Sequence, residues 1–140
     1  MHLRRPELAL AEAFRVLRPG GRILIMDPDW DTLLFDGDLA ATRIVTRAFT
    51  DSLVNGTIAR RMRPLLRLAG FNSIEIFAEP VITTDGSDYG WVPDSIGKAA
   101  LAAGADRATV DAWMDDQRRR IAEDRFLYAS THFVTTARRP

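Results

Sequence analysis

The stretch Arg18-Pro19-Gly20-Gly21 constrains this chain more than any other, because of what stands on either side of it. Before it, Leu10, Ala13, Phe14 and Leu17 recur at i, i+3, i+4 and i+7, the spacing of one buried helical face. Pro6 suits the first turn of that helix, where its missing N–H leaves nothing unpaired. After it come Ile23-Leu24-Ile25-Met26, apolar on consecutive positions. That pattern predicts a strand buried on both faces, as in a parallel sheet covered by helices. Helix, glycine turn and apolar strand make one α/β step, and the fold class follows as α/β.

The rest of the chain continues in the same manner. Asp27 to Asp31 reads as a polar loop after the strand. A helix is expected after Asp38, with Ile44, Val45, Ala48, Phe49 and Leu53 inward, broken at Asn55-Gly56. Ile58, Met62, Leu65, Leu66 and Ala69 share a further helical face, with a kink or fresh start near Arg63 caused by Pro64. Gly70 caps that helix. Ser73 to Phe77 forms a strand, and Pro80 ends it or marks a sheet edge. A loop over 84–88 precedes a short helix over 94–103, closed by Gly104. Asp106 then caps a helix carrying Val110, Trp113, Met114, Gln117 and Ile121 on one face. Phe126 to Ala137 is β-branched and aromatic, hence a strand. The predicted order is α-β-α-α-β-α-α-β in a single domain, 1–140.

Composition excludes several classes of function. The 19 basic and 19 acidic residues cancel, so no basic field draws nucleic acid or an anionic membrane. No apolar run approaches the roughly 20 residues that span a bilayer, and no signal peptide opens the chain; a cytoplasmic protein is expected. The absence of cysteine removes disulfides, thiolate metal sites and cysteine nucleophiles. Two histidines, His2 and His132, are too few and too far apart in sequence to suggest a metal site.

Leu10-Ala11-Glu12-Ala13-Phe14-Arg15-Val16-Leu17-Arg18-Pro19-Gly20-Gly21-Arg22-Ile23-Leu24-Ile25 resembles the later half of class I S-adenosylmethionine (SAM) methyltransferases, in which a helix ending R-V-L-[KR]-P-G-G leads into the fifth strand. Leu66-Arg67-Leu68-Ala69-Gly70-Phe71 resembles the same family's L-x-x-A-G-F segment before the sixth strand. The terminal strand is similar to its seventh, antiparallel one. The closest likeness is to small-molecule enzymes of the ubiquinone-biosynthesis type. The resemblance implies the C-terminal half of a Rossmann-like methyltransferase sheet (strands 5, 6 and 7), with residues 85–124 as a helical insertion over the acceptor. It also implies SAM as cofactor and a small-molecule acceptor. The family's glycine-rich cofactor loop has no counterpart, since none of the nine glycines forms a G-x-G. Four strands of the parent fold are likewise without counterpart, as in a split gene, a truncated frame or a cut-down protein. The expected partners are a second copy or a separately encoded N-terminal half, because a central-type strand left with an open edge is a template for association. A non-enzymatic dimeric module that binds a ligand or partner is the alternative, as is a gene remnant.

The candidate site residues follow from these placements. Ligands in doubly wound sheets sit beyond the carboxyl ends of the parallel strands, which singles out Asp27 to Trp30. A carboxylate at Asp27 can accept or orient a proton of the acceptor; its other reading is a turn cap before Pro28. In relatives a histidine precedes the R-V-L-x-P-G-G helix, and His2 stands in that place as a general base opposite Asp27. Trp30 is expected to line the acceptor pocket or to join the core. Tyr89 and Trp91 belong to the insertion, where they either face the acceptor or pack the 94–124 helices on the sheet. Arg60 and Arg61 stand where relatives carry a Gly-Arg pair, with Ala59 replacing the glycine. His132 reads as a packed or solvent-facing residue of the last strand, and Arg118-Arg119-Arg120 as a solvated helix face.

Overall fold

The computed structural model describes residues 3–140. Helix α1 spans Pro6–Val16 and β1 spans Arg22–Phe35. Helix α2 (Leu39–Ser52) is followed by a 3-10 turn at Ile58–Arg61, α3 (Met62–Leu68) and β2 (Asn72–Thr83). Then come α4 (Gly86–Tyr89), α5 (Trp91–Ala102), α6 (Arg107–Ala122) and β3 (Tyr128–Arg138). The sheet order is β1-β3-β2, with β3 antiparallel to both neighbours. The two outer strands therefore run parallel to each other, with the last strand of the sequence between them. This is a mixed α/β fold.

The Pro19-Gly20-Gly21 turn reverses the chain because Gly20 adopts a φ of +77°, open to glycine at little cost. It is also stitched to the end of β3: the Gly20 N–H donates to the Arg139 carbonyl (3.0 Å), and the Arg139 N–H to that of Gly21 (2.9 Å). The Arg139 guanidinium donates to the carbonyls of Phe14 (2.9 Å) and Leu17 and lies over the Phe14 ring. It thus satisfies carbonyls that the end of α1 would leave orphaned. Pro64 sits in the first turn of α3, directly after the 3-10 turn, so the break predicted near Arg63 is a fresh helix start. Gly70, at φ +98°, lets the Phe71 N–H reach back to the Leu66 carbonyl (3.0 Å) and close α3.

One face of the sheet packs against α1, the 3-10 turn and α3 through Leu10, Ile58, Met62, Leu66, Phe71 and Ile74, with Ile23 and Ile25 partly buried among them. A second core joins Phe35 and Tyr128 to α2, α5 and α6 through Val45, Ile96, Val110 and Trp113. The indole N–H of Trp113 donates to Thr42 Oγ1 (3.1 Å) inside that core. Gly97 lies where α5 crosses α6, and an added Cβ would collide with Met114.

Several sequence expectations are corrected here. β1 is not buried on both faces: Leu24 is 65% and Met26 55% exposed, because no helix covers that side of the sheet there. Asp27 to Asp31 is not a loop after the strand but its continuation, with Asp27 opposite Phe133, Pro28 opposite His132 and Asp29 opposite Thr131. β2 likewise runs through Pro80, which is opposite Thr131 on the outer strand. Ile44 points to solvent, residues 86–89 are helical, and α5 begins at Trp91 rather than 94. Of the three successive arginines, Arg120 is not solvated; it is mostly buried between Asp36 and Asp116.

Candidate functional site

Alternation along β1 decides which side chains can meet. Asp27 and Asp29 face α1 and the 3-10 turn, whereas Met26 and Pro28 face the other way, with their cross-strand partners Val134 and His132. Two cavities flank this stretch, one on each face. The smaller, about 220 Å³, lies between α1, the 3-10 turn and β1, and Asp27 and Asn55 give it a polar end. Asp27 is half-buried there. His2 lies outside the described residues.

The larger cavity, about 480 Å³, lies against the opposite face of the sheet, beside the middle of β1 and the end of β2. Met26, Pro28, Val81 and His132 contribute its sheet side. Trp30 and Phe49 meet edge to face on one flank, their centroids 5.3 Å apart. Tyr89 and Trp91 enter from the insertion, and Tyr89 stacks on Tyr128 at 5.9 Å. The three residues that the sequence offered for an acceptor pocket thus line one cavity, although 61 positions separate Trp30 from Trp91.

Trp30 is held by its backbone. A bulge interrupts the β1–β3 register between Asp29 and Leu34. Within it the Trp30 N–H donates to the Gly56 carbonyl (3.1 Å), and Thr50 Oγ1 donates to the Trp30 carbonyl (2.9 Å). The residues on either side of Trp30 are clamped by one arginine. Arg60 Nε donates to Asp29 Oδ2 (2.5 Å), while its terminal nitrogen donates to Asp29 Oδ1 and Asp31 Oδ2 (3.0 Å each). Asp29 is only 2% exposed, and this forked pairing is what allows a carboxylate to be buried there. The hydrogen bonds that Arg60 donates to Asp29, seconded by that to Asp31, raise its pKa above the ordinary value. Arg60 is therefore committed to the protein's own carboxylates rather than to an outside anion.

Sequence reasoning missed three members of this region. Asp29 stood in an apparent loop, and its partner is 31 residues away, so no local spacing revealed the pair. Tyr128, buried at the start of β3, donates to Ser130 Oγ (3.1 Å), and burial raises its hydroxyl pKa above 10.0 despite that bond. His132 faces the larger cavity, and its Nδ1 is buried with no hydrogen-bond partner among the described residues; the same is true of Trp30 Nε1. Alternation within β3 could have placed His132 on the Tyr128 face, but not the cavity beside it.

Neither of these two cavities fits SAM. Neither cavity is lined by a glycine, and no charged residue lines the larger one. A zwitterionic methionine moiety would find no backbone cradle and no counter-charges there. Among the described residues no cluster could hold a metal ion, and no helix is long and apolar enough to cross a membrane.

No family model matches the chain. It is 51% identical over 72 residues to an uncharacterized 37.1 kDa protein in transposon Tn4556 of Streptomyces fradiae, a match covering 50% of this chain and 21% of that protein. The chain thus spans about a fifth of the length of that curated relative. Among solved structures it is similar to the phosphoethanolamine N-methyltransferase 2 of Haemonchus contortus in complex with S-adenosylhomocysteine, at 14% identity and a TM-score of 0.45, covering 99% of this chain and 31% of that one. It is also similar to a candidate methyltransferase of Bacillus halodurans, at 16% identity and a TM-score of 0.49, covering 99% and 65%.

Proposed function

We propose that this chain is the acceptor-binding part of a SAM-dependent methyltransferase-like protein that acts on a small molecule. The observation that carries the reading is the larger cavity, which gathers Trp30, Tyr89 and Trp91 on one face of a sheet whose two outer strands run parallel to each other. The R-V-L-R-P-G-G segment at the α1–β1 junction supports it independently. In this reading residues 85–124 cover the acceptor, and the aromatic side chains bind and orient it. Asp27 lines the smaller cavity, across the sheet from the aromatic one, so a proton-handling role for Asp27 with His2 holds only for an acceptor group that reaches the smaller cavity. The cofactor-binding elements come from a second copy or from a separately encoded N-terminal half, in the cytoplasm. The open edge of β1, which pairs only with β3 among the described residues, is the proposed joining surface.

Isothermal titration with SAM and S-adenosylhomocysteine tests the reading. Micromolar binding, by the chain alone or mixed with a protein carrying a strand and glycine-rich loop, is expected. Its absence from every mixture would sink the methyltransferase reading. A second reading, a ligand-binding module without catalysis, is favoured by one observation: the aromatic cavity is complete within this chain whereas the cofactor cradle is not.

A further inference from the structure

We propose that the 480 Å³ cavity takes an uncharged, flat, largely apolar molecule bearing a carbonyl, ether or hydroxyl oxygen. This inference rests on the acceptor reading only for calling the ligand a substrate; the binding itself follows from the cavity. Its volume falls in the range of about 300–1,000 Å³ usual for small-molecule sites. Rings from Trp30, Phe49, Tyr89, Trp91 and Tyr128 line it, and such faces reward a planar guest through offset and edge-on contacts. No Asp, Glu, Lys or Arg lines it, so an anion or a cation would be desolvated without a counter-charge.

The polar handles narrow the choice. Trp30 Nε1 is a donor only, and it is buried with no described acceptor. With almost no accessible surface as it stands, it meets a ligand oxygen only once the ring turns toward the cavity; such a turn suits an oxygen acceptor and opposes an ammonium, although aromatic rings alone would welcome one. His132 Nδ1, equally without a partner, can accept from a ligand hydroxyl or donate to a carbonyl, according to its tautomer. The Trp91 indole, by contrast, already donates to the Asp88 carbonyl (3.1 Å), so it contributes a ring and no handle.

The test titrates the 140-residue chain, without SAM, at neutral pH with four probes of one ring system: 2-naphthol, naphthalene, 2-naphthoate and 2-naphthyltrimethylammonium. The uncharged naphthol is expected to bind at least about tenfold more tightly than either ion. Trp91→Ala weakens naphthol and naphthalene alike, by about fivefold or more. Trp30→Phe keeps a ring but removes the donor, so it erases the advantage of naphthol over naphthalene. Circular dichroism checks that both variants remain folded. Preferred binding of either ion, no binding of naphthol, or an unchanged affinity in folded Trp91→Ala overturns the proposal. Because no cofactor is present, these outcomes are separate from the SAM titration: naphthol binding with no SAM binding in any mixture refutes methyl transfer and leaves this inference standing.

Discussion

Replacing Arg60 by alanine should do more harm than its half-exposed position suggests. The side chain itself is 49% exposed, and most surface ion pairs contribute less than about 1 kcal/mol. Its partner decides the outcome. Asp29 is 2% exposed, and among the described residues the only donor to its Oδ2 is the Arg60 Nε at 2.5 Å. Removing the guanidinium leaves Asp29 Oδ1 with the Asp31 N–H (3.2 Å) and leaves Oδ2 with none. Stranding one member of a fully buried pair costs about 3–5 kcal/mol. Here water can enter from the Arg60 side, which brings the expected loss down to about 2 kcal/mol. For 140 residues that corresponds to a fall in Tm of roughly 6–8 °C, read by circular dichroism. Asp29→Asn combined with Arg60→Ala should recover part of the loss, since no buried charge then stands alone. A single variant that melts within about 2 °C of the parent, or a double variant as unstable as the sum of the singles, would refute the reasoning.

Three further outcomes are expected. Gly37 has a φ of +135°, and an added Cβ would lie 2.9 Å from Asp116 Oδ2 and 3.1 Å from Gln117 Nε2, so Gly37→Ala should lose about 1–3 kcal/mol by urea unfolding; an unchanged midpoint would argue against strain there. Thr42→Val removes the acceptor of the Trp113 indole in the core and should lose about 1–3 kcal/mol, whereas a neutral result would mean that the N–H finds another partner. Tyr128 is neutral below its pKa, and burial raises that pKa in the folded state. Its contribution to stability is therefore present below the unfolded value near 10 and lost as pH rises from there through the higher folded value. In Tyr89→Phe, where Tyr128 is the sole tyrosine, phenolate absorbance should titrate above pH 10; a midpoint at or below that would contradict the burial argument.

How far the sequence could be read depended on whether the deciding partner was local. Helix α1, its glycine turn and the start of β1 follow from spacing within about two turns, and they appear where expected. The extension of β1 past Met26 did not, because Pro28 and three aspartates look like a loop. The sheet order explains why they are tolerated. Pro28 and Pro80 lie on the two outer strands, where a missing N–H need not break a ladder, while the central β3 contains no proline. The consecutive apolar residues Ile23 to Met26 suggested two covered faces, yet only the Ile23 and Ile25 side is covered. Trp30, Tyr89 and Trp91 were legible as aromatics near a strand end and in an insertion. Asp29, Tyr128 and His132 were not, since each draws its surroundings from chain tens of residues away.

The strand that joins the sheet is the last of the three to be made. β1 and β2 are not hydrogen-bonded to each other, and each depends on β3 for its ladder. During synthesis, the apolar-rich strand β1 must wait more than 90 residues for the ladder partner that it has in this sheet, while α2, α3, α5 and α6 can form by local contacts. Pairings of such sequence separation are slow to close, and an unpaired apolar strand is exposed to wrong partners meanwhile. A ribosome-stalled chain ending before Tyr128 should therefore be helical yet sheetless and should depend on chaperones. Release of the final strand, rather than collapse of the helices, then sets the time at which the cavity comes into being.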